Sequence, residues 1–487
     1  MIARRFLMHR GLAATCLLVS FVLFETVSVV PAQTPDTRKP ALRRPSILFI
    51  LADDLGYGDL GCYGQTKIKT PNIDKLAAEG MRFTDFYAGC TVCAPSRASL
   101  MTGKHTGHGR IRGNGAISLQ TEDVTIAEML HKEGFRTAAI GKWGLGNRGT
   151  PGVPARKGFD QWFGYLDQVA AHNYYPSHLD RTGDGHDGEM EVSENLFGKK
   201  GRYSNDYFTF AASNFCRINV PDRVNRYRPF FLYMAYTIPH ANNELSQKTG
   251  NGMEVPSDAA YHDESWPQVE KNKAAMITLL DSYVGELMAT LKKYKEDENT
   301  IIIFTSDNGP HKEGGVDPKF FKSGGPLRGI KRDLYEGGIR VPLIIWWPGH
   351  IQPGTTSDLP CAFWDFLPTF AELYDTAPPK DIDGISFLPT WFGQTQTNRH
   401  DFLYWEFHEG GFHQAVRNGD WKGVRFGVDG PLELYNLKID PGEKTDVADK
   451  NPEIVSKIET YLKTARTADT NWPAKTAAQS PRKEYGS

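Results

Sequence analysis

Two short stretches carry oxygen ligands in a row. Asp53-Asp54 closes the apolar run Ser46-Ile47-Leu48-Phe49-Ile50-Leu51-Ala52, and Ser306-Asp307-Asn308-Gly309 closes another that starts at Thr300. Three carboxylates and an amide form a hard, all-oxygen set of the kind that holds Ca2+ or Mg2+. A single Asp in such a place is ordinarily a turn or helix cap, and it is the two matching run ends that tip the reading toward a metal. A third stretch runs Gly89-Cys90-Thr91-Val92-Cys93-Ala94-Pro95-Ser96-Arg97-Ala98-Ser99-Leu100-Met101-Thr102-Gly103. Pro95 suits a helix start and Gly103 a helix end, so Cys93 is expected at or just before a helix N-terminus. Amide groups and the helix dipole favour negative charge there, which suits an activated nucleophile. The bland alternative is a buried or disulfide-bonded cysteine.

These residues need a scaffold, and the pattern around them supplies one. Continuous apolar runs at Ser46 to Ala52, Thr137 to Ile140, Phe230 to Tyr236, Thr300 to Thr305 and Val341 to Trp347 read as strands buried on both faces. Helical patterns fall between them at Asn72 to Glu79, Thr125 to Glu133 and Gln268 to about Lys295. Alternating strands and helices predict an open α/β sheet, which binds ligands at the carboxyl ends of its strands. Past residue 395 the texture changes to short strand-like pieces at 402–405, 414–416, 421–424 and 433–436, then an amphipathic helix from Pro452 to about Arg466. That predicts a smaller α+β subdomain with a short antiparallel sheet, and a frayed polar tail over the last twenty residues. The expected division is a signal peptide over 1–32, a linker over 33–45, a catalytic domain over 46–395 and the subdomain over 396–487.

Composition narrows the class. With 487 residues, 56 basic against 58 acidic side chains and 40% hydrophobic residues, the chain is neither disordered nor fibrous, and it has no basic excess for nucleic acid. Arg4, Arg5 and Arg10 precede an apolar run from Gly11 to Phe24, and Val30-Pro31-Ala32 offers a cleavage site, the pattern of an export signal. The run falls short of the roughly 17 residues needed to span a bilayer, so no stable membrane anchor is expected. The reading places the mature protein in the periplasm or outside the cell. Removing residues 1–32 takes away three Arg, one Glu and one of six Cys, which leaves 53 basic against 57 acidic residues and five cysteines. Five is odd in an oxidising compartment, so one thiol calls for a chemical explanation.

Cys93-Ala94-Pro95-Ser96-Arg97 with its Ala98-Ser99-Leu100-Met101-Thr102-Gly103 tail resembles the signature of the type I, formylglycine-dependent sulfatases. Asp53-Asp54-Leu55-Gly56 resembles that family's first metal motif, Asp307-Asn308-Gly309 its second, and Thr237-Ile238-Pro239-His240 the segment with a catalytic histidine. Leu327-Arg328-Gly329-Ile330-Lys331, followed by Tyr335-Glu336-Gly337-Gly338-Ile339-Arg340-Val341-Pro342, is similar to its lysine loop. The resemblance implies an alkaline-phosphatase-like α/β fold, and sulfate-ester hydrolysis on a sulfated carbohydrate of galactose or N-acetylgalactosamine type, as bacterial glycan sulfatases perform. It implies that a maturation enzyme oxidises Cys93 to formylglycine. Hydrated to a geminal diol and touching the metal, that group attacks sulfur, and its second hydroxyl then expels sulfate. It further implies one Ca2+, in preference to Mg2+, on Asp53, Asp54, Asp307 and Asn308. Arg97 would support the nucleophile, Lys142 and Lys331 the sulfate oxygens, and His240 the sulfate or leaving oxygen, with a role as general acid.

One position departs from the pattern. Gly141-Lys142-Trp143-Gly144-Leu145-Gly146 has Gly144 where the family usually has a histidine that serves as the base in sulfate release. His172, in Ala170-Ala171-His172-Asn173-Tyr174-Tyr175-Pro176, is the candidate replacement, against the alternative of an ordinary loop histidine. Arg110, Arg112, Asn114, His172 and the polar loop from His178 to Glu191 are expected to line a sugar pocket, together with Trp405, His408 and His413. Two other functions stay open: a phosphoester hydrolase on the same fold, which usually carries Thr or Ser at the nucleophile position, and an impaired protein that binds sulfated glycans. The four cysteines left after Cys93, namely Cys62, Cys90, Cys216 and Cys361, either pair or stay reduced.

Overall fold

A ten-stranded sheet runs through the molecule, in the spatial order Thr355–Ser357, Met81–Phe83, Leu343–Trp346, Thr300–Ser306, Ser46–Ala52, Phe230–Ala235, Arg136–Lys142, Gln161–Tyr165, His178–Gly183, His186–Glu191. This computed structural model describes residues 44–183, 185–220 and 228–486. The expected signal peptide and all but the end of the linker lie outside the described residues. The five strands from Thr300–Ser306 to Gln161–Tyr165 are mutually parallel, whereas Leu343–Trp346 is antiparallel to both of its neighbours. The sheet is therefore mixed and mostly parallel, as expected.

The continuous apolar runs have a simple cause. Alternate residues of one strand face opposite sides, and helices cover both. Leu48, Ile50, Leu232, Met234, Ile302 and Phe304 pack on one side, while Ile47, Phe49, Leu51, Phe231, Tyr233, Ile301 and Ile303 pack on the other. The long helix Gln268–Lys293 buries Ala274, Ile277, Leu280, Val284, Leu287 and Leu291, a stripe at helical spacing. Among the described residues it is also the one helix long and apolar enough to cross a membrane, but that stripe lies in the core. The helix Ile126–Lys132 starts on a capping box between Thr125 and Glu128.

Three elements differ from the sequence reading. The polar stretch expected as a sugar-binding loop forms the last two strands at one end of the sheet, His178–Gly183 and His186–Glu191, whose exposed faces explain its polarity. The helix Ser204–Ile218 carries Phe208, Ala212 and Phe215 on its buried face, a spacing present in the sequence and passed over. The tail is pinned, because Asp333 accepts hydrogen bonds from the amides of Tyr485 (2.8 Å) and Gly486 (3.0 Å) and Arg328 pairs with Glu484 at 2.6 Å.

The small sheet, Leu403–Phe407, His413–Asn418, Trp421–Phe426 and Glu433–Asn436, is antiparallel throughout, with the helix Pro452–Leu462 against it. It joins the lysine segment through buried charge. Lys422 Nζ lies 2.8 Å from Glu336 and 3.2 Å from Glu443, and all three side chains are fully buried. Removing one partner of such a group leaves an uncompensated charge in the core. Lys422→Met is expected to lower the unfolding free energy by about 3 kcal/mol in urea titrations, and a loss below about 1 kcal/mol would mean that Arg340 and Arg417 already neutralise Glu336.

Candidate active site

The strand register sets the site. Ala52 pairs with Ser306, Leu51 with Ala235 and Ala235 with Gly141, so four neighbouring strands end at one level. Asp53-Asp54, Asp307-Asn308, Lys142 and the segment leading to His240 therefore meet beyond a single edge, as the sequence reading required but had no means to establish. Asp54 sits in the left-handed region at φ 68°, an unfavourable place for a non-glycine residue. Its amide donates to Asp307 Oδ1 (3.1 Å) and its Oδ1 accepts from Asn308 Nδ2 (2.7 Å), which ties the two strand ends together.

Cys93 is the first residue of the helix Cys93–Thr102, which closes on Gly103. Its Sγ lies 3.3 Å from Asp53 Oδ1 and 3.5 Å from Lys142 Nζ. Burial, with the Asp53 charge added, pushes the thiol well above its ordinary range, so the unmodified side chain is a neutral thiol and no thiolate. Arg97, one turn along, holds Asp307 Oδ2 through Nε (3.0 Å) and Nη2 (2.8 Å) and the Lys142 carbonyl through Nη1 (2.7 Å). Lys142 Nζ donates to Asp53 at 2.7 Å and Lys331 Nζ to Asp54 at 2.9 Å. Burial alone would raise Asp53 and Asp54, but Lys142 holds the first and Lys331 the second far below the usual carboxylate range. Burial and the Asp53 charge push Asp307 up in spite of Arg97.

His240 donates from Nδ1 to the Ala241 carbonyl (2.7 Å), and its Nε2 accepts from Lys331 Nζ (3.1 Å). Burial and the Lys331 charge push it down to about 3, so the ring is neutral and the proton at this point belongs to Lys331. His172 stacks on His240 with centroids 4.8 Å apart, and its Nδ1 faces Glu244 at 3.1 Å. Gly144 lies at φ 75°, and a Cβ there would fall 2.0 Å from Gln168 Nε2. The amide of Gln168 thus fills the space of a side chain at 144, and its Nε2 is buried without a hydrogen-bond partner. One loop, following the strand Gln161–Tyr165, supplies both Gln168 and His172.

Other expected residues have different partners. Arg112 is 1% exposed and its guanidinium is spent on Glu406 and Thr467, so it is not offered to a sugar. Trp405 is fully buried and donates to the Ala88 carbonyl; His413 is buried beside Phe407 and Phe426; His408 is held by Glu406. Arg110 pairs with Glu122 and Asp123. Asn114 does reach the site, accepting from the Ala94 amide at 3.1 Å. Sequence reasoning missed Glu313, whose Oε2 lies 3.3 Å from Lys331 Nζ and whose Oε1 meets Arg332. Nothing in the composition near Glu313 marks it. The five cysteines among the described residues are all unpaired.

The oxygen set suits a divalent ion. Asp53, Asp54 and Asp307 crowd three carboxylates together, and Asn308 Oδ1 is buried with no donor to satisfy it.

The sulfatase family profile matches residues 45–376, and the profile of the N-sulphoglucosamine sulphohydrolase C-terminal region matches residues 330–468. Arylsulfatase A of Homo sapiens is 32% identical over 85% of this chain and 86% of its own length. N-acetylgalactosamine-6-O-sulfatase of Bacteroides thetaiotaomicron is 29% identical over 87% of this chain and 94% of its own. The structure of Ps i-CgsB in complex with k-i-k-neocarrahexaose superposes with a TM-score of 0.74 at 29% identity, covering 89% of this chain and 96% of that one.

Chelator-treated protein titrated with Ca2+ or Mg2+ is expected to unfold later, by about 2.7 kcal/mol once the ion reaches a hundred times its Kd. Asn308→Ala should weaken that response, and an equal response in both proteins would place the ion elsewhere.

Proposed function

The chain belongs to the sulfatase family, as an enzyme that removes sulfate from sulfated glycans, and we propose that it does so with formylglycine at position 93 and Ca2+ on Asp53, Asp54, Asp307 and Asn308. The carrying observation is the placement of residue 93 at a helix N-terminus, between the Asp53 carboxylate and the Lys142 ammonium, with Lys331 and His240 across the site. When present, the two groups supply a hydrated aldehyde with two hydroxyls and a Lewis acid for the sulfate oxygens. A neutral thiol in the same place would attack poorly and would have no second hydroxyl for release.

The side chains divide the remaining work. Lys142 and Lys331 place two fixed positive charges around the position of a sulfate group, where transition-state charge on oxygen is stabilised without reorganisation. Arg97 holds Asp307 and the end of the strand carrying Lys142, so it orients the oxygen set and the lysine together. At the leaving oxygen the donor is the Lys331–His240 pair, with the proton on Lys331 and neutral His240 receiving its hydrogen bond. For sulfate release we assign the base to His172. Glu244 accepts from Nδ1–H and stacking on His240 fixes the ring plane, which leaves Nε2 as the nitrogen that takes a proton.

The name of the Bacteroides relative supports a galactose-type sugar, N-acetylgalactosamine included, as the substrate residue. The N-terminal pattern of arginines, apolar run and small-residue site supports export to the periplasm or medium, with residues 46–395 and 396–487 as catalytic domain and subdomain.

Protein made aerobically with a formylglycine-generating enzyme is expected to show loss of the thiol in the peptide spanning position 93, and sulfate release from a panel of sulfated monosaccharides. An unmodified Cys93 in active protein overturns the assignment. His172→Ala is expected to release about one alcohol per enzyme in a burst and then stall; full steady turnover in that variant would return His172 to an ordinary loop residue.

A further inference from the structure

The groups around the nucleophile are sealed in: Cys93, Asp53, Asp54, Asp307, Asn308, Lys142, Lys331 and His240 are each 3% exposed or less. A saccharide therefore meets a second set of residues first. From the helix start the Ala94 amide donates to Asn114 Oδ1 (3.1 Å), and Asn114 Nδ2 donates to Glu409 Oε1 (3.2 Å). Arg332 Nε donates to Glu409 Oε2 (3.0 Å) and its Nη1 to Glu313 Oε1, while Glu313 Oε2 meets Lys331 Nζ at 3.3 Å. This chain of hydrogen bonds runs from the residue after the nucleophile to the lysine at the leaving-group side. Its charged middle is partly open, with Glu409 30% and Arg332 28% exposed. Arg332 is held at φ 77°, a conformation that a non-glycine side chain keeps only where its surroundings fix it.

We propose that Glu409 and Arg332 form a saccharide subsite that reads neutral hydroxyls on the ring bearing the sulfate. This inference rests on the sulfatase reading of the site below it. A carboxylate paired with a guanidinium offers an acceptor and a donor side by side, the complement of neighbouring hydroxyls that each donate and accept. Arg332 spends Nε and Nη1 on carboxylates, and its Nη2 makes no hydrogen bond among the described residues. Glu313 and Glu409 flank the single Arg332, so the subsite disfavours a second sulfate and favours uncharged hydroxyls. Glu409 comes from the turn between the strands Leu403–Phe407 and His413–Asn418, and with it the small sheet takes part in choosing the sugar.

The test compares 4-nitrophenyl sulfate, which has no sugar hydroxyls, with the sulfated monosaccharide that the wild type cleaves fastest. In Glu409→Gln the ratio of kcat/KM for the saccharide over the aryl ester is expected to fall at least tenfold, mainly through a higher saccharide KM. Arg332→Lys, which keeps the charge and loses the fork, should lower the same ratio. If both variants leave the ratio within twofold of wild type, the subsite is overturned while the sulfatase reading stands. If the wild type releases sulfate from neither substrate, that reading fails and the subsite with it. Glu409 is a partly exposed turn residue, and equal thermal unfolding of Glu409→Gln and wild type confirms that the ratio reports recognition.

Discussion

Six charges in a dry place at the end of the sheet constrain everything around them. Asp53, Asp54 and Asp307 face Lys142, Lys331 and Arg97, all of them buried. An isolated charge at that depth costs several kcal/mol, so none of the six is tolerable without its partners. The pairing holds only if the strands ending at Ala52, Ser306, Ala235 and Lys142 stop at one level, which the parallel register provides. Near-balance of these six leaves room for a divalent cation and an anionic ester to arrive together, the first answering the three carboxylates and the second the two lysines. The same balance explains why Arg97, which touches both Asp307 and the Lys142 carbonyl, is fully enclosed.

The strands that carry these charges were readable because a strand covered on both faces is apolar at every position, as in Ser46–Ala52 and Thr300–Ser306. Adjacency was not readable, since register is a property of pairing and leaves no mark in either segment alone. Residue type misled where a side chain's orientation decided its use. Trp405, His413 and Arg112 have the chemistry of a sugar pocket, but the first two point into the core and the third answers buried Glu406. Glu313, Arg332, Glu409 and Gln168 are ordinary surface-type residues in sequence. Their importance comes wholly from what the fold places beside them. The family resemblance, resting on Cys93 to Gly103, the two Asp motifs, the segment ending at His240 and the lysine loop from Leu327 to Pro342, supplied the chemistry that spacing alone did not.

The lysine segment shows how the small sheet stabilises a site that it barely touches. Lys331 and Arg332 precede Glu336, and Glu336 is clamped by Lys422 and by Arg340. The turn therefore cannot shift without breaking buried ion pairs, and Gly309 and Gly337 approach so closely that a Cβ at 309 would fall 1.9 Å from the Gly337 carbonyl. The strand end bearing Asp307-Asn308 and the turn bearing Lys331 are in this way held at a fixed separation, which is what positioned charges require.

Position 144 follows a different logic. Residue 144 lies just past the strand Arg136–Lys142, beyond Trp143, which packs against Phe159 and Tyr233. The positive φ of Gly144 and the amide of Gln168 leave no room for a side chain there. The loop after the strand Gln161–Tyr165 places Gln168 over Gly144 and His172 on the face of His240. A side chain carried on a loop lacks the rigidity of the sheet and must be oriented by other means. His172 has two such constraints, the Glu244 carboxylate at Nδ1 and the His240 ring at 4.8 Å, and His240 is itself locked by the Ala241 carbonyl and Lys331. The imidazole of His172 at the site's edge is thereby fixed by its hydrogen bond to Glu244 and by stacking on a ring whose own hydrogen bonds run through Lys331 to Asp54, one of the six charges that the strand register brings together.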